Sequence, residues 1–117
     1  MRFLSIYKTA ERWPPTEEDI AKMGKLIEEG MKAGWLLSVE GCLPSATGAR
    51  VRLSNGTMTV RDGPFTETKE VVGGFALLQA GSKQEALELV KKFLLAADDG
   101  ECELRQLHEA GPMEKLA

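Results

Sequence analysis

The sequence is poor in the residues from which metal, redox and nucleophilic centres are usually built. Its 117 residues include one histidine, His108, and two cysteines, Cys42 and Cys102. Neither a CxxC pair nor a Cys/His cluster with zinc spacing can be drawn from these, so no metal site is expected. Gly73-Gly74 lacks the glycine spacing of a dinucleotide or P-loop phosphate cradle, so no cofactor is expected either. An excess of positive charge is also missing. Fifteen Lys+Arg against 18 Asp+Glu give a net charge of −3, with no general attraction to nucleic acid or an anionic membrane. No apolar run approaches the roughly 20 residues of a membrane span. The stretch Phe3–Tyr7 is too short for a signal peptide, with Lys8, Glu11 and Arg12 close behind it. Two cysteines without a framework fit reduced thiols in a cytoplasmic protein; a disulfide between them is the alternative that sequence leaves open.

What is present suits one globular domain. Hydrophobic residues make up 43% and charged residues 28%, ordinary values for a packed chain, and the length leaves little room for a second domain. A first strand is predicted over Phe3–Lys8. Thr16, with Asp19 three residues on, is an N-cap signal. Ile20, Met23, Ile27 and Met31 then give a helical apolar stripe ending at Gly34. Trp35–Glu40 reads as a second strand and Val71–Ala80 as a long one, with Phe75–Leu78 apolar on both faces. Ser82 and Glu85 form a capping box for a second helix, whose stripe is Ala86, Val90, Phe93 and Ala97, widened by Leu87, Leu89 and Leu94. Cys102–His108 is the last strand. The domain is placed at residues 1–108, with 109–117 a loosely held tail.

The clearest local element is Arg50–Asp62. Asn55-Gly56 is a strong hairpin signal, because a type I′ turn needs positive φ at both positions. The two-residue loop pairs Arg50 with Arg61 and Val51 with Val60. Val51, Leu53, Met58 and Val60 therefore share one face, and Arg50, Arg52, Arg61 and Thr59 the other. Without this hairpin the order is βαββαβ, the ferredoxin-like pattern of the α+β class. Two helices cover one sheet face and leave the other open. Phe75–Leu78 and Trp35–Leu37 carry apolar residues toward both faces, so a homodimer of sheets packed face to face is expected.

Asp62-Gly63-Pro64-Phe65, continued through Glu70 and again at Gly73-Gly74-Phe75, resembles the signature of the DGPF-motif branch of YCII-related proteins. Gly34–Ser45 is similar to the family's second-strand region, and Glu103 and Arg105 to a pair in its last strand. The resemblance spans about residues 1–108. It implies a dimeric α+β barrel, a bacterial source and no assigned reaction, and neighbouring sigma-factor genes in some members hint at regulation. The His–Asp pair of the proteins after which the superfamily is named does not carry over. His108 is the one histidine and reads as a rim residue, which leaves Asp62 as the acidic candidate.

The site candidates each admit two roles. Asp62 can act as a general base if a cavity raises its pKa, or accept backbone N–H groups as an Asx-turn. Glu67, Lys69 and Glu70 can wall a pocket or form a solvated loop. Glu40 can border a pocket at a strand end or pair with an arginine. Arg50, Arg52 and Arg61 can clamp a carboxylate or phosphate, or form a solvated face neutralised by Asp62, Glu67 and Glu70. Arg105 is a separate anion partner. Tyr7 and Trp35 can line a cavity or pack in the core, and Gly73-Gly74 can form a bulge or allow close strand approach. Two functional readings follow. One is an enzyme without a cofactor, acting on a small anionic organic molecule with Asp62 as acid/base and Glu40 or Arg105 orienting it. The other is a non-catalytic dimeric module that binds a ligand or protein, with a regulatory or stress role.

Overall fold

A computed structural model describes residues 1–109 of the chain. The elements are β1 (Arg2–Thr9), α1 (Glu17–Ala33), β2 (Leu36–Gly41), β3 (Ala49–Ser54), β4 (Thr57–Asp62), β5 (Val71–Gln79), α2 (Lys83–Ala97) and β6 (Glu101–Gln106), with one 3₁₀ turn at Ser45–Thr47. The class is α+β. Four strands form an antiparallel sheet in the order β2-β5-β1-β6, and β3 and β4 form a separate two-stranded sheet.

Local chemistry sets the element ends. Thr16 accepts the Asp19 N–H at 3.1 Å while the Asp19 carboxylate takes the Thr16 N–H at 3.3 Å, closing the capping box on α1. Gly34 ends that helix at φ 86°. At α2 only half of the expected box forms. Ser82 accepts from the Glu85 N–H, but the Glu85 carboxylate reaches past Ser82 to the Gly81 N–H at 3.0 Å.

The core lies between the sheet and the helices. Phe3, Leu36, Ala76 and Leu78 from the sheet meet Ala86, Leu89, Val90 and Phe93 of α2, with Met23, Leu26 and Ile27 of α1 packed against them. The α1 stripe is thus narrower than its sequence spacing suggests. Ile20 and Met31 are 59% and 49% exposed, because the stripe outruns what α2 and the sheet cover, and Leu26 takes part instead. Trp35 lies just before β2 rather than in it. A Cβ on Gly30 would come within 2.8 Å of the Trp35 ring, which also meets Phe93 edge-on at 5.9 Å. Tyr7 donates its hydroxyl to the Asp99 carbonyl at 2.8 Å. Both aromatics therefore pack within the fold.

Gly73-Gly74 serves both purposes expected of it. Tyr7 faces Gly74 and Lys8 faces Val72, so Gly73 is the extra residue of a bulge. A Cβ on Gly74 would lie 2.6 Å from the Glu40 carbonyl of β2.

On the sheet face away from the helices, register aligns Leu4 and Ile6 of β1 with Leu77 and Phe75 of β5. Glu40 of β2 extends the Phe75 row at one edge, and Glu103 of β6 extends it at the other. No element of the described chain covers this face, and Phe75 is 39% exposed.

The β3–β4 hairpin projects as an arm. Asn55 and Gly56 have φ of 50° and 79°, as the type I′ turn requires, and the expected register holds from Arg50↔Arg61 to Ser54↔Thr57. Every residue of both strands is exposed. The radius of gyration is 16.3 Å, against about 13 Å for a compact chain of this length.

Candidate functional site at the base of the arm

Three short segments meet where the arm joins the body. Ser45 is their hub. Its N–H donates to the Glu11 carboxylate, its Oγ accepts the Phe65 N–H at 3.1 Å, and a Cβ on Gly63 would land on its carbonyl oxygen. Gly63 also donates its N–H to the Gly48 carbonyl at 2.9 Å. The glycine before Pro64 is therefore demanded by space. Its φ is not positive, unlike that of Gly34 or Gly56.

Above this clamp, Arg50 and Arg61 point to one spot. They face each other across the strand pair, and both guanidinium groups donate to the same Glu67 oxygen, Arg50 at 2.7 Å. Both also lie over the Phe65 ring, Arg50 at 3.9 Å from its centroid and Arg61 at 5.5 Å. The ring's electron-rich face holds the cations in place. Glu67 titrates below the ordinary glutamate value, through a hydrogen bond from its own backbone N–H and through the Arg61 and Arg50 donors. Two arginines and one carboxylate leave one uncompensated positive charge. Lys69, Glu70 and Arg52 are exposed and have no ion-pair partner among the described residues.

The other candidates lie elsewhere. Asp62 ends β4 opposite Ala49. Strand alternation sets it on the Val60 side of the hairpin, away from Arg61. Its carboxylate is exposed and makes neither a hydrogen bond nor an ion pair among the described residues, so the Asx-turn is not formed. Glu40 and Arg105 lie on opposite edge strands, three strand spacings or about 14 Å apart, and so share no site within one protomer. Glu103 binds Lys8 at 3.0 Å and Arg105 at 3.3 Å, which lowers its pKa. Glu40 makes no ion pair among the described residues. His108 is exposed beyond β6. Two open clefts, of about 340 and 520 Å³, lie on the helical side against Leu95, and Asp62 lines neither.

Sequence reasoning missed Phe65 as an aromatic platform, Ser45 as a hub and Glu11 as its partner. An aromatic directly after a Gly-Pro turn, beside an arginine-bearing hairpin face, was a usable signal for Phe65. Glu11 is 34 residues from Ser45 and carries no local signal.

Cys42 and Cys102 are free thiols, and burial pushes the Cys102 thiol up. Among the described residues no group of three or more His, Cys, Asp or Glu side chains could hold a metal ion, and no helix is long and apolar enough to cross a membrane.

An uncharacterized protein of Rhizobium meliloti (strain 1021) is 38% identical over 81 residues, covering 68% of this chain and 65% of that protein, a little under two thirds of the relative's length. The family model for the YCII-related domain matches residues 1–110. The chain belongs to the YCII-related family.

Proposed function

We propose that this protein binds a small anionic organic molecule, through a carboxylate or phosphate group, at the Arg50–Arg61 pair. The observation that carries this reading is the convergence of two guanidinium groups, both stacked on Phe65, on one carboxylate oxygen of Glu67. Glu67 is half exposed. It occupies the place a ligand carboxylate would take, and an incoming anion competes with it. Planar forks of this kind favour bidentate carboxylate and phosphate partners.

The reading has a wider frame. The Asp62–Phe65 run supports the DGPF-motif branch, and the strand order β2-β5-β1-β6 with both helices on one face supports a ferredoxin-like barrel half. The uncovered apolar face supports a homodimer, the two free thiols support a cytoplasmic setting, and the Rhizobium meliloti relative supports a bacterial source. A second reading makes the protein a non-catalytic binding module with a regulatory or stress role. The open position of Asp62 favours it. In a catalytic version Asp62 supplies the acid/base group, with Lys69, Glu40 or Arg105 contributing to binding.

A thermal-shift series with inorganic phosphate and small mono- and dicarboxylates tests the reading. A ligand at 100 times its Kd adds about 2.7 kcal/mol and moves the midpoint by several degrees. Stabilisation is expected in the wild type, lost in Arg61→Ala and strengthened in Glu67→Gln, which removes the internal competitor. An Arg61→Ala protein that responds like wild type would sink the proposal. Once a ligand is known, turnover by wild type but not by Asp62→Asn selects the catalytic version.

A further inference from the structure

The arginine face of the arm carries more positive charge than Glu67 offsets. Strand alternation and the observed register set six residues on it in three opposed rows: Arg50 with Arg61, Arg52 with Thr59, and Ser54 with Thr57. Every one of these side chains is a hydrogen-bond donor, through a guanidinium group or a hydroxyl. No acidic residue of the two strands shares the face, since Asp62 stands on the Val60 side. The chain as a whole has 18 Asp+Glu against 15 Lys+Arg, so a merely solvated face drawn from it would ordinarily mix signs.

Like charges directly opposite on a strand pair are destabilising. Glu67 relieves this in the first row, where both guanidinium groups donate to one of its oxygens. The second row has no such partner. Arg52 is exposed and forms no ion pair among the described residues. Across from it, the Thr59 hydroxyl reaches the Arg52 carbonyl at 3.5 Å, longer than a good O–H···O bond of about 2.7 Å, and a hydroxyl rotates to a better acceptor when one is offered. The two rows are two residues apart along the strands, a rise of about 7 Å.

We propose that the arm selects an organic dianion. One carboxylate or phosphate group replaces Glu67 between Arg50 and Arg61, and a second, about 7 Å along the strands, is held by Arg52 and the Thr59 hydroxyl. Once the first group is seated, the second binds intramolecularly and adds affinity at little further entropic cost. Extended adipate sets its carboxylates about 6 Å apart and fits this span, whereas succinate, at about 4 Å, is too short. This inference rests on the anion-binding reading and names the ligand class of that same site.

Amide-shift titrations by NMR at low ionic strength, where exposed charges are least screened, provide the test. The probes are adipate, succinate (the same charge on a shorter span) and hexanoate (the same chain length with one carboxylate), on wild type, Arg52→Ala and Arg61→Ala. Wild type should bind adipate about ten-fold more tightly than either other acid, with the largest shifts at residues 50, 52, 59 and 61. Arg52→Ala should bring adipate down to the level of hexanoate. A wild type without preference for adipate, or an Arg52→Ala protein that keeps the preference, overturns the proposal. In either case, hexanoate binding that Arg61→Ala abolishes leaves the anion site standing without its second half. If none of the acids binds wild type, or Arg61→Ala binds them as wild type does, both readings fall.

Discussion

Leu78 and Val60 are both apolar residues in strands of the same chain, yet Leu78 is fully buried and Val60 is 65% exposed. Leu78 lies in β5, between β2 and β1 and beneath two helices. Val60 lies in a strand whose one neighbour is the other half of its own hairpin. A period-two pattern declares that one face is to be buried. Whether the burial happens within the chain depends on what the connections bring opposite that face. In the body, the α1 and α2 crossovers return a helix onto the sheet. In the arm, two residues of turn return only another strand in the same plane.

The sharpest way to break this comparison is to make similar truncations in both places. Leu78→Ala should cost about 3–5 kcal/mol in urea unfolding, as transfer and cavity terms add at a closed site. Leu53→Ala should stay within about 0.5 kcal/mol at dilutions where the protein is monomeric. Equal costs at dilution would mean that the arm is packed within its own protomer. Next in size is the joint between the two regions. Gly63→Ala should cost about 2–3 kcal/mol, because its Cβ would meet the Ser45 backbone rather than a movable side chain. Exchange of the arm amides should rise more than exchange in β1 and β5, and a silent substitution would show the clamp to be loose.

Helix capping belongs to the body alone. Thr16→Ala should remove about 1 kcal/mol by losing the hydroxyl that accepts the Asp19 N–H, without changing arm exchange. The smallest effect is electrostatic and concerns both regions. Glu67 at the arm base and Glu103 on the sheet have folded pKa values below the ordinary one. Their stabilisation is therefore fully present above the unfolded glutamate value of about 4.3 and fades as pH falls through the folded values. Denaturation midpoints measured down this window should decline less steeply in Glu67→Gln and Glu103→Gln than in wild type. Both groups are well exposed, so the difference is small.

Much of the fold was legible in the chain. Thr16 with Asp19, Asn55-Gly56 and the pairing that followed all act over a few residues, where backbone geometry and nearby side chains set the outcome. The reading failed where a distant element had a vote. Ile20 and Met31 have the right helical spacing, but α2 does not extend over them. At Glu85 the competitor was local: the offset from Ser82 is right, but the neighbouring Gly81 N–H was also in reach. The site was less legible than the fold. The opposed arginines could be paired from sequence, yet their convergence on Glu67 and Phe65 depends on how the loop after Pro64 returns, and that return is held by Ser45 from a different loop.

By itself, then, the sequence determined the elements, the register of the arm and the sidedness of each strand, because these follow from turn chemistry and from periods of 2 and 3.6 residues. Only the tertiary structure decided that Asp62 stands at an open base, that Glu40 and Arg105 lie at opposite sheet edges, and that the arm's apolar face is left bare within the described residues. Each of these depends on which segments distant in sequence come to lie side by side. Packing over the whole chain settles that, and no local pattern encodes it.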